Sequence, residues 1–197
     1  MQLEERYAFP TYLLRQKIFK IFGNAFHIYD PDGNVVLYSK QKAFKLKEDI
    51  RIYADESMDQ EVLQIRTSSI WDISGSYGVY DPVSKENVGA LKRHGVKSFL
   101  KDEWTIIDAH GREAGKITED SMVKALIRRA HDVAAAVIPQ KYEATWDGTL
   151  VAEYRQNFNP FVKKITIDFT PDEDNLLDPR LGLAAAVLLS AIEGKQG

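Results

Sequence analysis

The sequence has no cysteine among its 197 residues. This absence excludes a disulfide scaffold, a thiolate zinc site and a cysteine nucleophile. The chain also lacks a long apolar run, since the most apolar segment, residues 181–192, would reach about 18 Å as a helix, whereas a bilayer core needs about 30 Å. Positive charge is not in surplus either, because 26 Lys and Arg face 29 Asp and Glu, a net charge of −3. That balance argues against a dedicated nucleic-acid-binding protein.

What the sequence does contain is typical of a folded, water-soluble domain. Hydrophobic residues make up 44% and charged residues 28% of the chain, which is unlike a disordered protein. The length suits one domain, so we expect a single domain over residues 1–197. The first ten residues lack the basic start and apolar centre of a signal peptide. We therefore expect a cytoplasmic protein without a transmembrane segment.

Turns that contain Asp separate short segments of alternating polar and apolar residues. Leu63 and Ile65, for example, alternate with Gln64 and Arg66, the period of a strand with one buried face. The pattern predicts five hairpins, and residues 11–19 and 161–169 add two strands, for about twelve in all. An antiparallel sheet of this size has edges to protect, and closing it into a barrel removes them. The turns lie at residues 30–33, 54–59, 81–86, 108–111 and 146–148.

The predicted C-terminal helix spans residues 178–193, with Asp178 as its N-cap and Pro179 at its first position. It is apolar on every face, so it must be surrounded on every face. A flat sheet cannot do this, but a barrel can, and the small residues near Gly182 allow close approach. A shorter helix is predicted at residues 121–130. The fold class expected is therefore mainly β, a closed antiparallel barrel of about twelve strands around a buried apolar C-terminal helix, with one further short helix.

Several segments resemble the LURP-one-related family, in an order that covers nearly the whole chain. Tubby C-terminal domains and, by inference, phospholipid scramblases share the fold of this family. The resemblance implies a barrel around a central hydrophobic helix, and a binding or interaction module without enzymatic activity. The segments that carry it are residues 14–19 (LRQKIF), 26–33 (FHIYDPDG), 43–53 (AFKLKEDIRIY), 99–108 (FLKDEWTIID), 138–143 (IPQKYE) and 178–192 (DPRLGLAAAVLLSAI).

Two basic groups are the candidate ligand site. Tubby domains bind phosphoinositide head groups through basic side chains, so the resemblance implies an anionic head group as the ligand. The alternative interpretation of both groups is an edge strand whose basic side chains prevent unwanted strand pairing. The candidate ligand-binding residues are Lys40, Lys42, Lys45 and Lys47 in the first group, and Lys92 and Arg93 in the second.

No catalytic residue, metal site or cofactor is predicted. The acidic run at residues 172–178 corresponds to a proposed calcium-binding segment of scramblases, but it has no Gly and too few ligands. We interpret it as helix capping and solubility. Asp108 and His110 could form a dyad, although a hairpin tip is an ordinary place for both. The chain has neither the histidine spacing of a zinc protease nor a phosphate-binding loop or nucleophile elbow.

The leading hypothesis is a non-enzymatic binding or interaction module whose partner is an anionic phospholipid or another protein. One alternative is a small-ligand-binding protein or an enzyme with an unrecognised pocket. Another is a scramblase-like, membrane-associated protein. The lack of cysteine, and of a proline-rich start, argues against this last alternative.

Overall fold

The computed structural model describes residues 3–19, 23–41, 49–67, 75–94, 103–120, 140–157 and 162–193. A 3-10 helix, Glu4–Tyr7, precedes twelve strands and one α-helix in the described residues. The strands are β1 (Thr11–Phe19), β2 (Gly23–Tyr29), β3 (Val35–Gln41), β4 (Asp49–Tyr53), β5 (Glu61–Arg66), β6 (Ser76–Asp81), β7 (Glu86–Arg93), β8 (Glu103–Ile107), β9 (Glu113–Glu119), β10 (Lys141–Trp146), β11 (Thr149–Asn157) and β12 (Lys163–Asp168), and the helix is α1 (Pro179–Glu193).

The twelve strands form one closed antiparallel barrel, as predicted. Each strand pairs with its neighbours in sequence, and β1 closes the ring by pairing with β12. The register places Leu14 opposite Ile165 on one side and Ile28 on the other. Each of the five hairpins has a register shift near its turn, which bends and twists the paired strands. These shifts lie at Ile28/Tyr29, Ile52/Tyr53, Val79/Tyr80, Ile106/Ile107 and Ala144/Thr145.

The two ends of the barrel differ in what they contain. Because the strands run alternately up and down, all five hairpin turns lie at one end, which we call the turn end. The 3-10 helix lies at this end too, since the Phe169 amide donates to the Pro10 carbonyl, 2.8 Å away, where β12 ends and β1 begins. We call the opposite end, where β1 and β3 finish and β12 begins, the far end.

Helix α1 enters at the turn end and runs through the barrel. Every side chain from Leu181 to Ala191 is buried. The helix contacts β7 on one side of the ring and the adjacent strands β1 and β12 on the opposite side. The Asp178 carboxylate accepts the Arg180 amide at 2.9 Å, as an N-cap should. Near the far end, the Ser190 hydroxyl donates to Gln16 Oε1 at 2.8 Å. The prediction of a buried apolar helix inside the barrel is confirmed.

Two glycines allow close packing that a larger side chain would prevent. A Cβ on Gly182 would lie 2.5 Å from Cε1 of Phe169. The Phe169 ring, and not the backbone of a strand, therefore packs against this face of the helix. The Tyr154 hydroxyl also reaches the Gly182 carbonyl, at 3.1 Å. In β9, a Cβ on Gly115 would lie 2.1 Å from the backbone oxygen of Thr145 in β10.

The helices show what local pattern could not predict. The 3-10 helix was not expected, because residues 4–7 have no apolar period. Tertiary contacts hold it instead, since Arg6 Nη1 donates to the carbonyls of Val36, at 2.7 Å, and Ala54, at 2.6 Å. The short helix predicted at residues 121–130 lies outside the described residues. Among the residues the structure describes, no helix is long and apolar enough to cross a membrane.

Candidate anion-binding surface

Charge is unevenly distributed along the barrel axis. The turn-end segments (residues 3–10, 30–34, 54–60, 82–85, 108–112, 147–148 and 169–178) carry thirteen carboxylates and only three basic side chains. Many of these carboxylates build the turns: Asp30 Oδ1 accepts the Asn34 amide at 2.8 Å, and Asp172 accepts two backbone amides. The net charge of −3 therefore hides an acidic end.

Four basic side chains lie together on the outer surface toward the far end. We call Arg15, Lys17, Lys40 and Lys164 the basic face. Successive residues of a strand point to opposite sides of the sheet. Because the neighbours Leu14 and Gln16 are buried in the interior, Arg15 and Lys17 point outward from β1. The register then places Lys164 of β12 directly opposite Arg15.

The spacing on the basic face is short. Ala25 of β2 pairs with Lys17 on one side and with Lys40 on the other, so the two lysines flank a small side chain across about 10 Å. Arg15 and Lys164 are direct cross-strand neighbours. Like charges in that position destabilise a sheet unless something neutralises them.

No carboxylate in the described part of the chain forms an ion pair with any residue of the basic face. The neighbouring strands show the contrast. Lys141 Nζ lies 2.9 Å from a carboxylate oxygen of Glu143 and 2.9 Å from one of Glu153. The hydrogen bond with Lys141 lowers the pKa of Glu153, and the hydrogen bond with Glu153 raises the pKa of Lys141. Cations on β10 and β11 are thus matched, whereas those of the basic face have no such partner among the residues that the structure describes.

A cavity of about 390 Å³ lies beside Arg15. The guanidinium carbon of Arg15 lies 5.6 Å from the centroid of the Tyr29 ring, and its Nε is buried without a hydrogen-bond partner. Thr11 and Thr166 also line the cavity. The turn residues Asp30, Pro31 and Gly33 line it as well. The Asp30 carboxylate accepts a hydrogen bond from the Asn34 side chain, which lowers the pKa of Asp30. The described lining residues thus include one cation, Arg15, and four residues that carry a hydroxyl group, namely the two threonines and the tyrosines Tyr12 and Tyr29.

Of the first predicted group, the structure places only Lys40. Its side chain is exposed on the outer surface of β3. Lys42, Lys45 and Lys47 lie outside the described residues. Strand β3 lies between β2 and β4 in a closed ring, so Lys40 does not lie on an edge strand; for Lys42, Lys45 and Lys47 the edge-strand interpretation is not tested.

The second predicted group lies on β7, four strands from β3. This separation is about 19 Å along the sheet, so the structure does not bring Lys92 or Arg93 to Lys40. The two residues also point to opposite sides of the sheet. The guanidinium carbon of Arg93 lies 5.9 Å from the ring centroid of Trp104, a side chain only 1% exposed. Arg93 therefore packs on the interior side, while Lys92 faces outward.

Arg15, Lys17 and Lys164 were missed as candidates because they form no run in the sequence. A signal was present, since Arg15 and Lys17 stand two residues apart on a predicted strand and therefore share one face of it. Pairing of the first strand with the last, which brings Lys164 beside Arg15, follows only once the barrel is closed.

The other candidates have structural roles. Asp108 Oδ1 accepts the amides of His110 and Arg112, each at 2.9 Å, so Asp108 builds its hairpin turn. Asp172 accepts the amides of Leu176 and Leu177, each at 2.9 Å, and orders the segment that leads into α1. Within the described ranges, no group of three His, Asp or Glu residues could hold a metal ion.

A closed barrel of twelve antiparallel strands threaded by an apolar helix defines the structural class. The family model for LURP-one-related proteins matches residues 11–190, and the chain therefore belongs to the LURP-one-related family. Among solved structures, a crystal structure of a protein from Arabidopsis thaliana matches with a TM-score of 0.52 and 13% identity, covering 98% of each chain. At that identity the likeness shows the fold alone. No curated protein matches the chain.

Proposed function

We propose that the protein is a non-enzymatic binding module that docks on anionic phospholipid head groups through the basic face. The observation that carries this proposal is the convergence of Arg15, Lys17, Lys40 and Lys164 without a carboxylate partner among the described residues. The resemblance to tubby C-terminal domains supports the same ligand class. We place this activity in the cytoplasm, because the cytoplasmic leaflet carries the anionic lipids that attract basic segments.

The electrostatic energy is sufficient for reversible attachment. A basic residue near an anionic leaflet contributes about 1 kcal/mol, so the four residues of the basic face would contribute about 4 kcal/mol together. Such attraction acts over a Debye length of about 8 Å at physiological salt. The acidic turn end would be repelled by the same surface. The two ends together therefore orient the barrel.

The cavity beside Arg15 fits a phosphate-bearing group. An Arg guanidinium binds phosphate oxygens through two parallel hydrogen bonds, and the aromatic ring of Tyr29 supports Arg15 from one side. Lys42, Lys45 and Lys47 follow Lys40 in the chain and are proposed as further contacts from the sequence. Lys92, which faces outward on β7, is proposed as a second, separate contact, whereas Arg93 packs over Trp104 on the interior side and is left out of the proposed surface. Protein partners at the same face are the alternative occupant.

Vesicle co-sedimentation tests the proposal. Wild-type protein should bind vesicles that contain phosphatidylserine or a phosphoinositide, and not vesicles of phosphatidylcholine alone. The double variant Lys17→Glu/Lys40→Glu should bind at least about tenfold more weakly, because two attractive charges become repulsive. Lys85→Glu makes the same change on an exposed lysine at the turn end and should change binding little. Equal binding by the double variant and Lys85→Glu would remove the basic face from the proposal.

A scramblase-like role has less support. It would require α1 to leave the barrel and expose a helix whose side chains are buried from Leu181 to Ala191. Two polar tethers also hold the far end of the helix. The Ser190 hydroxyl donates to Gln16, and Lys163 Nζ donates to the Ser190 carbonyl at 3.0 Å. Partition of the purified protein into detergent micelles would favour this role, whereas recovery in the aqueous phase would count against it.

A further inference from the structure

A cleft of about 910 Å³ opens at the turn end, where α1 enters the barrel. We call it the turn-end cleft. Most of its walls come from three segments, namely the 3-10 helix with Leu3, the β6–β7 turn and the residues at the start of α1, and Val62 of β5 completes the lining. Pockets for small molecules usually measure about 300 to 1,000 Å³, so the volume is suitable for an organic ligand. The lining residues used below are Glu4, Tyr7, Val83, Glu86, Leu176 and Arg180.

The walls of the turn-end cleft hold more negative than positive charge. Among the described lining residues Arg180 is the one cation, and three carboxylates share it: Asp178 at 2.7 Å, Asp81 at 2.8 Å and Glu86 at 3.7 Å. Glu4 also lines the cleft and is exposed, and it forms no ion pair with any residue the structure describes. Four carboxylates thus stand against one guanidinium. Glu4 and Glu86 are the two that solvent, or a ligand, reaches most easily.

Exposed apolar side chains stand beside these carboxylates. Val83 is 48% exposed and Leu176 is 37% exposed. They are two of the three large hydrophobic side chains exposed in the described part of the chain, the third being Met58. Tyr7 adds an aromatic ring to the same wall. An exposed apolar surface gathered in one concave place indicates a binding site.

We propose that the turn-end cleft binds a small organic cation that has an apolar body, such as an alkylammonium compound. The positive head would lie between Glu4 and Glu86, and the apolar part would cover Val83 and Leu176. An aromatic ring such as that of Tyr7 attracts an ammonium group placed over its face. Arg180 makes its two shortest contacts with Asp81 and Asp178, which tie the β6–β7 turn to the helix start, and its contact with Glu86 is the longest of the three. This site is independent of the basic face and lies at the opposite end of the barrel.

Three probes separate the two chemical requirements. Octyltrimethylammonium has both the cation and the chain, octanoate has the same chain with an anionic head, and tetramethylammonium has the head alone. The full chain would be titrated with each probe, and binding measured by isothermal titration calorimetry and by amide chemical shifts. Octyltrimethylammonium should bind and should shift the amide signals of residues 83–86 and 175–177. Octanoate should not bind there, and tetramethylammonium should bind more weakly.

Matched variants make the outcome decisive. Glu4→Gln and Glu86→Gln should each lower the affinity for octyltrimethylammonium about two- to fivefold, which is the effect of losing one exposed ion pair. Asp32→Asn removes an exposed carboxylate from a different turn and should leave affinity unchanged. Both glutamates are exposed, so the variants should fold, and unchanged far-UV circular dichroism verifies this. Equal binding of octanoate, absence of binding, or equal affinities of all three variants would each overturn the proposal.

Discussion

The substitution Leu188→Ala tests whether α1 is a structural part of the core. Leu188 is 1% exposed inside the barrel, and the strands around it are held by hydrogen bonds along the whole ring, so the wall cannot easily collapse into a void. Leu→Ala changes at such sites cost about 2.7 to 5 kcal/mol. We expect a loss near 3 kcal/mol in the free energy of unfolding. For a domain of this size, that loss lowers the melting temperature by roughly 6 to 12 °C.

Leu176→Ala is the matched control, because it removes the same atoms from a side chain that is 37% exposed just before the helix. Urea unfolding followed by far-UV circular dichroism should show a lower midpoint for Leu188→Ala with an unchanged m-value. The control should change the free energy of unfolding by less than about 1 kcal/mol, since its side chain is only partly removed from water. Similar losses for the two variants would refute the buried position of α1.

Two further predictions concern the barrel wall. Gly115→Ala should lower the urea midpoint, with a cost of about 1 to 3 kcal/mol, because the new Cβ would lie 2.1 Å from the Thr145 backbone oxygen; an unchanged midpoint would mean that β9 and β10 are less closely paired. Lys141→Met should reduce the acid sensitivity of stability. In the folded protein the pKa of Glu153 is lowered from 4.5, chiefly by its hydrogen bond with Lys141. The stability that ionised Glu153 contributes is therefore fully present above pH 4.5 and is lost as the pH falls through the lower pKa of the folded state. Unfolding between pH 3 and pH 7 measures this; identical pH profiles for Lys141→Met and wild type would contradict it.

The barrel could be predicted because each element has a local signal that agrees with its neighbours. Asp-rich turns separate alternating segments, and the strand pairs follow from adjacency along the chain. Helix α1 added independent information, since a helix apolar on all faces requires a wall on all faces. The bounds predicted for the first strand, residues 11–19, are those of β1.

The candidate site was less predictable because it depends on contacts between distant parts of the chain. Lys164 and Arg15 are adjacent only after β12 pairs with β1, and no local pattern gives that register. Arg93 shows the converse, because residues that are adjacent in the sequence need not share a surface. It stands next to Lys92 in sequence, yet alternation turns it to the interior, over Trp104. The turn-end cleft likewise joins segments that are far apart in sequence.

The absence of cysteine makes the most direct test of membrane docking possible, because one introduced cysteine gives one labelled position. Asn157 is exposed and pairs with Lys164 beside the basic face, whereas Ser84 is exposed at the turn end. An environment-sensitive fluorophore would be attached to Asn157→Cys or to Ser84→Cys, and its emission measured with phosphoinositide vesicles. If the protein docks through the basic face, the emission of the label at position 157 should shift to the blue and rise in intensity, and the emission of the label at position 84 should not change. A change at position 84, or none at either position while the protein co-sediments with the vesicles, would contradict docking through the basic face.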